Sequence, residues 1–385
     1  MLNFEKYRVI CIVGARPNFM KIAPIMRALE ANDRFEATLV HTGQHYDKAM
    51  KESFFEQLGI PEPDVDLGVG SGSHAVQTAN IMTAFEPVMD RVNPHLVLVV
   101  GDVNSTIACA LVAVKKGINV IHVESGLRSG DRAMPEEINR ILTDQLSDLL
   151  FTTERSAEGN LTAEGIAAEK VHFVGNVMID TLLYNLPRAI EPAQTFKQHL
   201  ETDHASSLAQ KFGLLTLHRP SNVDDPIVLE RLLNTLVSIG NELPLVFPVH
   251  PRTKAKIEQG GFDRLLSDAN IHMLPPMGYL EMLGLMDRAS VVLTDSGGIQ
   301  EETTALGTPC LTLRENTERP ITVDEGTNTI VGTDPEAIRA AFNTVMLGTA
   351  KGSSRPEYWD GKAAERIVEI TEGWCRQQFT QESSE

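Results

Sequence analysis

Apolar runs without alternation, each followed by a polar or glycine-marked turn and then a helical pattern, recur along this chain of 385 residues. Val9-Ile-Cys-Ile-Val13 and Leu96-Val-Leu-Val-Val100 place no polar residue at every second position, so neither can lay one face against water. Such strands are covered on both faces, as in a parallel sheet between helical layers. Glu36–Val40, Val120–Val123, Leu149–Thr152 and Val171–Val174 continue the series. A more polar stretch from Leu183 to Gln210, with Pro187 and Pro192, reads as a connection. The alternation then restarts, with strands expected at Phe212–Leu217, Leu245–Val249, Ile271–Leu274, Ser290–Thr294 and Cys310–Leu313. A single core stops growing well before this length. The fold class expected is therefore α/β, with two Rossmann-like doubly wound domains facing each other across a cleft, the first over 1–178 and the second over 179–362.

Charge narrows the partners. The formal net charge of -18 argues against nucleic acid or an anionic membrane surface, since both want a basic face. No window approaches the roughly 18 consecutive apolar residues of a membrane span, and Met1–Arg8 lacks the layout of a signal peptide, so a cytoplasmic location is expected. Cys11, Cys109, Cys310 and Cys375 lie far apart and read as buried thiols. No close-spaced metal-ligand motif is present.

Chemistry-bearing residues collect just after the expected strands. Gly101-Asp102 follows one strand and Glu124 the next, and a right-handed parallel crossover brings both to the same sheet edge, where open α/β sheets bind ligands. A lone acid after a strand is usually a turn residue or a cap; two in succession carry more. Arg16 and Lys21 flank the start of the first helix, as solvated surface or as anion ligands. The glycine spacing fits neither a dinucleotide fingerprint nor a Walker loop. Pro135-Glu-Glu137 opens a helix, where Glu136 and Glu137 complement the dipole and Arg140 stands at the i,i+4 position to pair with Glu136. His218, His250 and Arg319 each follow a strand.

Thr294-Asp-Ser-Gly-Gly-Ile-Gln-Glu-Glu302 reads as a buried strand handing over to a helix with an open first turn. Ser296 is a candidate cap, and Gly297 and Gly298 allow close approach of an anion to the helix N–H groups. Glu302 shares the inward stripe with Ile299 and Leu306, while Gln300 and Glu301 are expected to point elsewhere. Ordinary capping is the alternative reading.

Taken together, Gly14-Ala-Arg-Pro with Lys21, His41-Thr-Gly-Gln-His45, Gly101-Asp102, His122-Val-Glu124, Pro135-Glu-Glu137, His218-Arg219, Asp295–Glu302 and Thr317-Glu-Arg-Pro320 resemble the non-hydrolysing UDP-N-acetylglucosamine 2-epimerases. The resemblance spans about residues 8–345. It implies the GT-B architecture with a C-terminal helix, about 363–385, returning to the first domain, a homodimer, and neither metal nor nicotinamide. By position it implies that Asp102, Glu124 and Glu136 are the acid/base carboxylates and His218 the active-site histidine. Arg16, Lys21 and Arg319 match basic residues near a UDP-sugar, Ser296, Gly297 and Gly298 a diphosphate-binding turn, and Glu302 a ribose ligand. Met277 and Met282 stand near the base-binding loop in place of more typical residues. Asp47 and Ser73 or His74 replace a glutamine and an arginine of the family's allosteric site, and Ile321 replaces an acid. The rival readings are a 2-epimerase of a UDP-2,3-diacetamido uronic acid, a glycosyltransferase of the same architecture, and a nucleotide-sugar sensor. Arg128, Arg132 and Arg252 are candidates to meet a uronate.

Overall fold

The computed structural model describes residues 6–43, 59, 61–201, 208, 211–267, 269–350 and 354–381. The chain divides into two compact units, Met1–Tyr184 with Glu357–Glu385, and Asn185–Pro356. The first contains β1 (Tyr7–Val13), α1 (Arg16–Glu30), β2 (Phe35–His41), β3 (Val65–Asp66), α2 (His74–Val92), β4 (Leu96–Val100) and α3 (Asn104–Lys115). β5 (Asn119–Ser125), α4 (Pro135–Leu146), β6 (Leu149–Thr152), α5 (Arg155–Ala163), β7 (Val171–Phe173) and α6 (Val177–Asn185) follow. All pairings are parallel, in the order β3-β2-β1-β4-β5-β6-β7. Every residue of β4 is buried, as its unbroken apolar run requires. Ile10, Val97 and Val99 of the sheet pack with Phe85 and Ile81 of α2 and Ala108 of α3.

The second unit repeats the plan. It contains α7 (Pro192–His199), β8 (Gly213–Thr216), α8 (Pro220–Val223), α9 (Pro226–Gly240), β9 (Leu245–Pro248), α10 (Pro251–Gly260), α11 (Asp263–Ser267) and β10 (Ile271–Leu274). It continues through α12 (Tyr279–Arg288), β11 (Val292–Thr294), α13 (Gly297–Leu306), β12 (Cys310–Thr312), α14 (Pro320–Asp324), β13 (Asn328–Ile330) and α15 (Pro335–Met346). Its six parallel strands run β10-β9-β8-β11-β12-β13. α9 starts where Asp225 accepts the Ile227 N–H at 2.8 Å ahead of Pro226, and its inward side packs Leu229, Leu232, Leu233 and Leu236 against the sheet. β3 and β13 were not expected from sequence. The first has two residues, and the second, Asn-Thr-Ile, lacks the apolar run that marks the others.

In each sheet the strand order reverses beside the first strand of the unit: between β1 and β4, and between β8 and β11. Loops leaving the carboxyl ends of such a pair diverge to opposite faces and open a crevice there.

The last helix, α16 (Ala363–Gln381), belongs to the first unit. Asp180 of α6 accepts the N–H groups of Ala363 and Ala364 at 3.2 and 2.7 Å, capping it from outside its own segment. Asn32 donates to Glu372 at 2.9 Å farther along. Burial pushes the Asp180 carboxyl up to about 6, against the pull of those two N–H groups. A carboxyl raised in the folded state favours folding fully below its unfolded value of 3.8, and that contribution is lost as pH rises through about 6. Asp180→Asn removes the titration. Its unfolding free energy in urea, relative to the unsubstituted chain, is expected to improve between about pH 4 and pH 6 by at most about 3 kcal/mol. A difference that stays flat with pH would refute this role for Asp180.

Candidate active site

The first unit brings its candidate residues to the β1/β4/β5 edge. Val100 lies beside Val123, so Asp102 and Glu124 leave adjacent strands at the same end. Glu124 is buried in the left-handed region, φ 70°, and the pairing of β5 with β6 slips between Val123 and Ser125. That conformation costs on the order of 1–3 kcal/mol for a non-glycine residue, and the bulge turns the side chain out of the sheet's alternation. Lys21, reaching from α1, forms an ion pair with Glu124 although it is only 7% exposed. Asn18 holds the start of α1: its Oδ1 accepts the Ala15 N–H at 3.0 Å and its Nδ2 donates to the Val100 carbonyl at 2.9 Å. Gly101 has φ 65°, and a Cβ there would sit 2.9 Å from Lys21 Nζ. A side chain there would have to displace Lys21 and adopt a strained backbone, both of which glycine avoids.

Asp102 is half-buried, with Arg140 Nη2 2.6 Å from its Oδ2. The other arm of Arg140 donates to Glu137 at 2.9 Å, and Asn139 donates to the Asp102 carbonyl at 2.9 Å. Glu137 accepts the N–H groups of Ser129 and Gly130 at 2.9 and 3.0 Å, fixing that loop. Burial pushes the Glu137 carboxyl up, but those bonds and Arg140 outweigh it and hold it below the usual range. The expected Glu136–Arg140 pair is thus corrected: Arg140 is drawn to the buried Glu137 and to Asp102, and Glu136 stays half-buried on α4. His122 is fully buried, with Nδ1 2.6 Å from Asp144 and Nε2 2.8 Å from the Gly101 carbonyl. Burial pushes Asp144 up, and His122 and Arg128 more than offset it. Arg16 opens α1, but its side chain is outside the described residues, as are Gln44 and Asp47. Ser73 caps α2, accepting the Val76 N–H at 3.3 Å, and His74 begins that helix.

In the second unit the β8/β11 edge carries His218 and the α13 turn. Asp295 is fully buried and accepts the N–H groups of His218 and Arg219 at 3.0 and 2.9 Å, plus Asn222 Nδ2 at 3.2 Å. Its other contact is His218 Nδ1 at 2.8 Å, which orients a ring whose side chain is 38% exposed. Burial raises the Asp295 carboxyl; His218 and the N–H bonds outweigh that and lower it. Gly297 and Gly298 open α13 as expected, yet the Ser296 hydroxyl makes no cap bond. The Ser296 N–H instead turns back to Thr294 Oγ1 at 3.0 Å.

Glu302 is buried as its stripe position demanded, and its charge acts on the buried Tyr279 phenol. Burial first, then Glu302, holds the Tyr279 phenol well above its usual range, so it stays a donor. Gln300 and Glu301, off that stripe, are buried as well. Gln300 Oε1 accepts from Thr317 at 2.6 Å, and Glu301 lies 2.9 Å from Arg319 Nε, so α13 positions the 314–319 loop that carries Arg319. Glu318 of that loop is pushed up by burial and brought down to about 2 chiefly by Arg314. Met277 is buried ahead of α12 and Met282 half-buried on it. His250 caps α10, its Nδ1 accepting the Arg252 N–H at 3.2 Å.

A family model described as UDP-N-acetylglucosamine 2-epimerase matches residues 27–372. The chain belongs to that family. It is an isomerase by that membership, which sets aside the glycosyltransferase reading. The epimerase is 41% identical over 372 residues to UDP-N-acetylglucosamine 2-epimerase of Methanococcus maripaludis, covering 95% of this chain and 99% of the relative. It is also 41% identical over 365 residues to UDP-2,3-diacetamido-2,3-dideoxy-D-glucuronate 2-epimerase of Pseudomonas aeruginosa, covering 94% and 98%. The crystal structure of the Methanocaldococcus jannaschii UDP-GlcNAc 2-epimerase in complex with UDP-GlcNAc and UDP superposes with TM-score 0.80 at 40% identity, covering 94% of this chain and 99% of that one. The two parallel sheets of this epimerase are those of the GT-B class.

No helix among the described residues is long and apolar enough to cross a membrane. Replacing Asp295 by asparagine leaves four donors facing a poorer acceptor. Urea unfolding of Asp295→Asn near neutral pH is expected to show about 1–3 kcal/mol less stability. Because the folded value is lowered, that loss is full above about pH 4 and shrinks as pH falls through the folded value. Unchanged stability at neutral pH would contradict the role given to Asp295.

Proposed function

We propose that this epimerase interconverts UDP-N-acetylglucosamine and UDP-N-acetylmannosamine by elimination and re-addition of UDP. Carbon 2 of the amino sugar is not beside a carbonyl, so its proton is not acidic enough for simple removal and return. In the proposed route a carboxylate takes the carbon 2 proton, the bond from carbon 1 to the diphosphate oxygen breaks with its electron pair, and 2-acetamidoglucal forms. UDP then adds back to carbon 1 while carbon 2 is protonated on the opposite face. The observation that carries this reading is the pair of strand-end carboxylates each clamped by its own cation, Glu124 by Lys21 and Asp102 by Arg140. Fixed acid/base groups of this kind are what two proton transfers on opposite faces require.

Asp102, Glu124 and Glu136 share the proton transfers in this reading. The first turn of α13, at Ser296, Gly297 and Gly298, offers N–H groups and the positive helix end to the departing diphosphate. His218 and Arg319 add donors or positive charge beside it, and Arg16 and Lys21 are assigned to the UDP-sugar by their match to the family's basic residues. Glu302 takes the ribose hydroxyls, and Met277 and Met282 lie toward the base. The enzyme works as a cytoplasmic homodimer without metal or nicotinamide and supplies N-acetylmannosamine-type sugars for cell-surface polysaccharide.

The second reading, a UDP-2,3-diacetamido uronic acid 2-epimerase, is favoured by the 41% identity to the Pseudomonas aeruginosa relative. It needs a cation for the uronate carboxylate. Arg128 is engaged with Asp144 and Glu164 at 2.7 and 2.6 Å, and Arg252 is paired with Asp224. Only Arg132 of the three candidates is exposed without such a pairing among the described residues. With two of the three candidate cations already engaged, UDP-N-acetylglucosamine is the preferred substrate of this reading.

Incubation with UDP-N-acetylglucosamine in heavy water is expected to yield UDP-N-acetylmannosamine carrying deuterium at carbon 2, read by proton NMR. Asp102→Asn and Glu124→Gln should each lower kcat by roughly 10²- to 10⁴-fold in a folded protein. Near-normal turnover in both would remove them from the proton transfers. Turnover of the diacetamido uronate alone would select the second reading.

A further inference from the structure

The strained Glu124 is enclosed by a clasp that the catalytic reading does not use. One oxygen of the Asp144 carboxylate, from α4, lies 2.6 Å from Nδ1 of His122, two residues before Glu124. The other oxygen accepts the N–H of Gly126, two residues after it, at 3.1 Å. A single side chain thus closes both sides of the bulge at Val123/Ser125. The opposite nitrogen of His122 reaches the Gly101 carbonyl at 2.8 Å, and the Gly101 N–H donates to the Val123 carbonyl at 3.1 Å. Gly101 directly precedes Asp102. His122 and Asp144 are 0% and 1% exposed. Arg128 donates to the Gly126-side oxygen at 2.7 Å and to Glu164, so the buried carboxylate is neutralised from outside.

We propose that His122 and Asp144 are positioning residues that fix the spacing and direction of Asp102 and Glu124, without touching substrate themselves. The inference rests on the assignment of those two carboxylates to the proton transfers. The need for such a device follows from the backbone. A left-handed glutamate on a bulge relaxes unless its surroundings hold it. The ion pair with Lys21 restrains the side-chain end, and β6 holds Val123 and Ser125 from the side of Phe151 and Thr152, whereas the clasp is what ties His122 and Gly126 to each other across the bulge. Because the same imidazole touches Gly101, a shift of one carboxylate is transmitted to the other. Groups that deliver and remove a proton on a fixed sugar ring tolerate little displacement, and a misplacement of about 1 Å costs on the order of 100-fold in rate.

The test compares Asp144→Asn and His122→Gln with the unsubstituted chain in the carbon 2 exchange and epimerisation assays, with UDP affinity and thermal unfolding as controls. Each variant is expected to lose about 100-fold in kcat while KM and UDP affinity stay within about threefold. In a Glu124→Gln background, Asp144→Asn should cost well under the roughly 100-fold it costs alone, because only its effect on Asp102 remains to be lost. Retention of kcat within about threefold in the folded variants would overturn the proposal. So would a full second 100-fold loss in the Glu124→Gln background, or a loss of UDP affinity in step with turnover, since each marks a general structural role. If Asp144→Asn does not fold, His122→Gln carries the same comparisons. Failure of the underlying reading is separable: it appears as normal turnover in Asp102→Asn and Glu124→Gln, whatever the clasp variants do.

Discussion

Parallel strands in register end at one edge, and the candidate chemistry of both units depends on that constraint. In the first unit the β4–β5 ladder runs without interruption from Leu96 beside Asn119 to Val100 beside Val123. The residues that follow have no choice of side, and Gly101-Asp102 and Glu124 emerge together. In the second, Thr216 and Thr294 are ladder partners whose hydroxyls meet at 2.6 Å, with Asp295 following directly and His218 two residues on. The strand order reverses at each place, so the loops part and leave room. The buried apolar cores contribute no chemistry, but they set where the chemical groups arrive.

What emerges at those edges is charge in partly or fully desolvated surroundings, which is stable only when paired. Lys21 with Glu124, Arg140 with Asp102 and Glu137, and His218 with Asp295 meet that requirement. Each pairing also removes rotational freedom from a group on which the proposed elimination relies. The cost of ordering is met during folding rather than at the moment of reaction, the condition under which electrostatic stabilisation of a transition state is most effective. The second unit extends the same logic outward: α13 holds the loop of Arg319 through Gln300 and Glu301, so the helix N-terminus and the arginine are positioned by one element.

The strands and the crossover pattern were legible because continuous apolar runs leave few alternatives. β13 was not, since Asn328 meets Thr312 Oγ1 at 2.6 Å and Thr322 Oγ1 at 3.0 Å in a polar network that no periodicity reveals. Helical spacing placed Glu302 inward correctly and Gln300 and Glu301 off its stripe, but did not show that they too are buried. α13 is covered on more than one side, so a single stripe does not describe it. Asp144 and His122 gave no signal beyond the family motif around Glu124, because what joins them is a tertiary contact between a helix and a strand. The left-handed backbone of Glu124 is equally silent in sequence, where φ above zero is normally announced by glycine or asparagine.

The adjacent pair Glu136 and Glu137 shows how structure separates two residues that sequence treats alike. Both lie in the first turn of α4 and both favour the helix dipole. Successive helical positions point about 100° apart, so only one can turn into the loop. Glu137 does, and the N–H groups of Ser129 and Gly130 together with Arg140 hold it at 2% exposure. A carboxylate so buried and held below its usual range fixes a loop and is shut away from a substrate proton. Glu136, half-buried, has no hydrogen bond or ion pair among the described residues. It keeps the acceptor capacity that acid/base work needs, and its neighbour supplies the rigidity of the turn on which it is mounted.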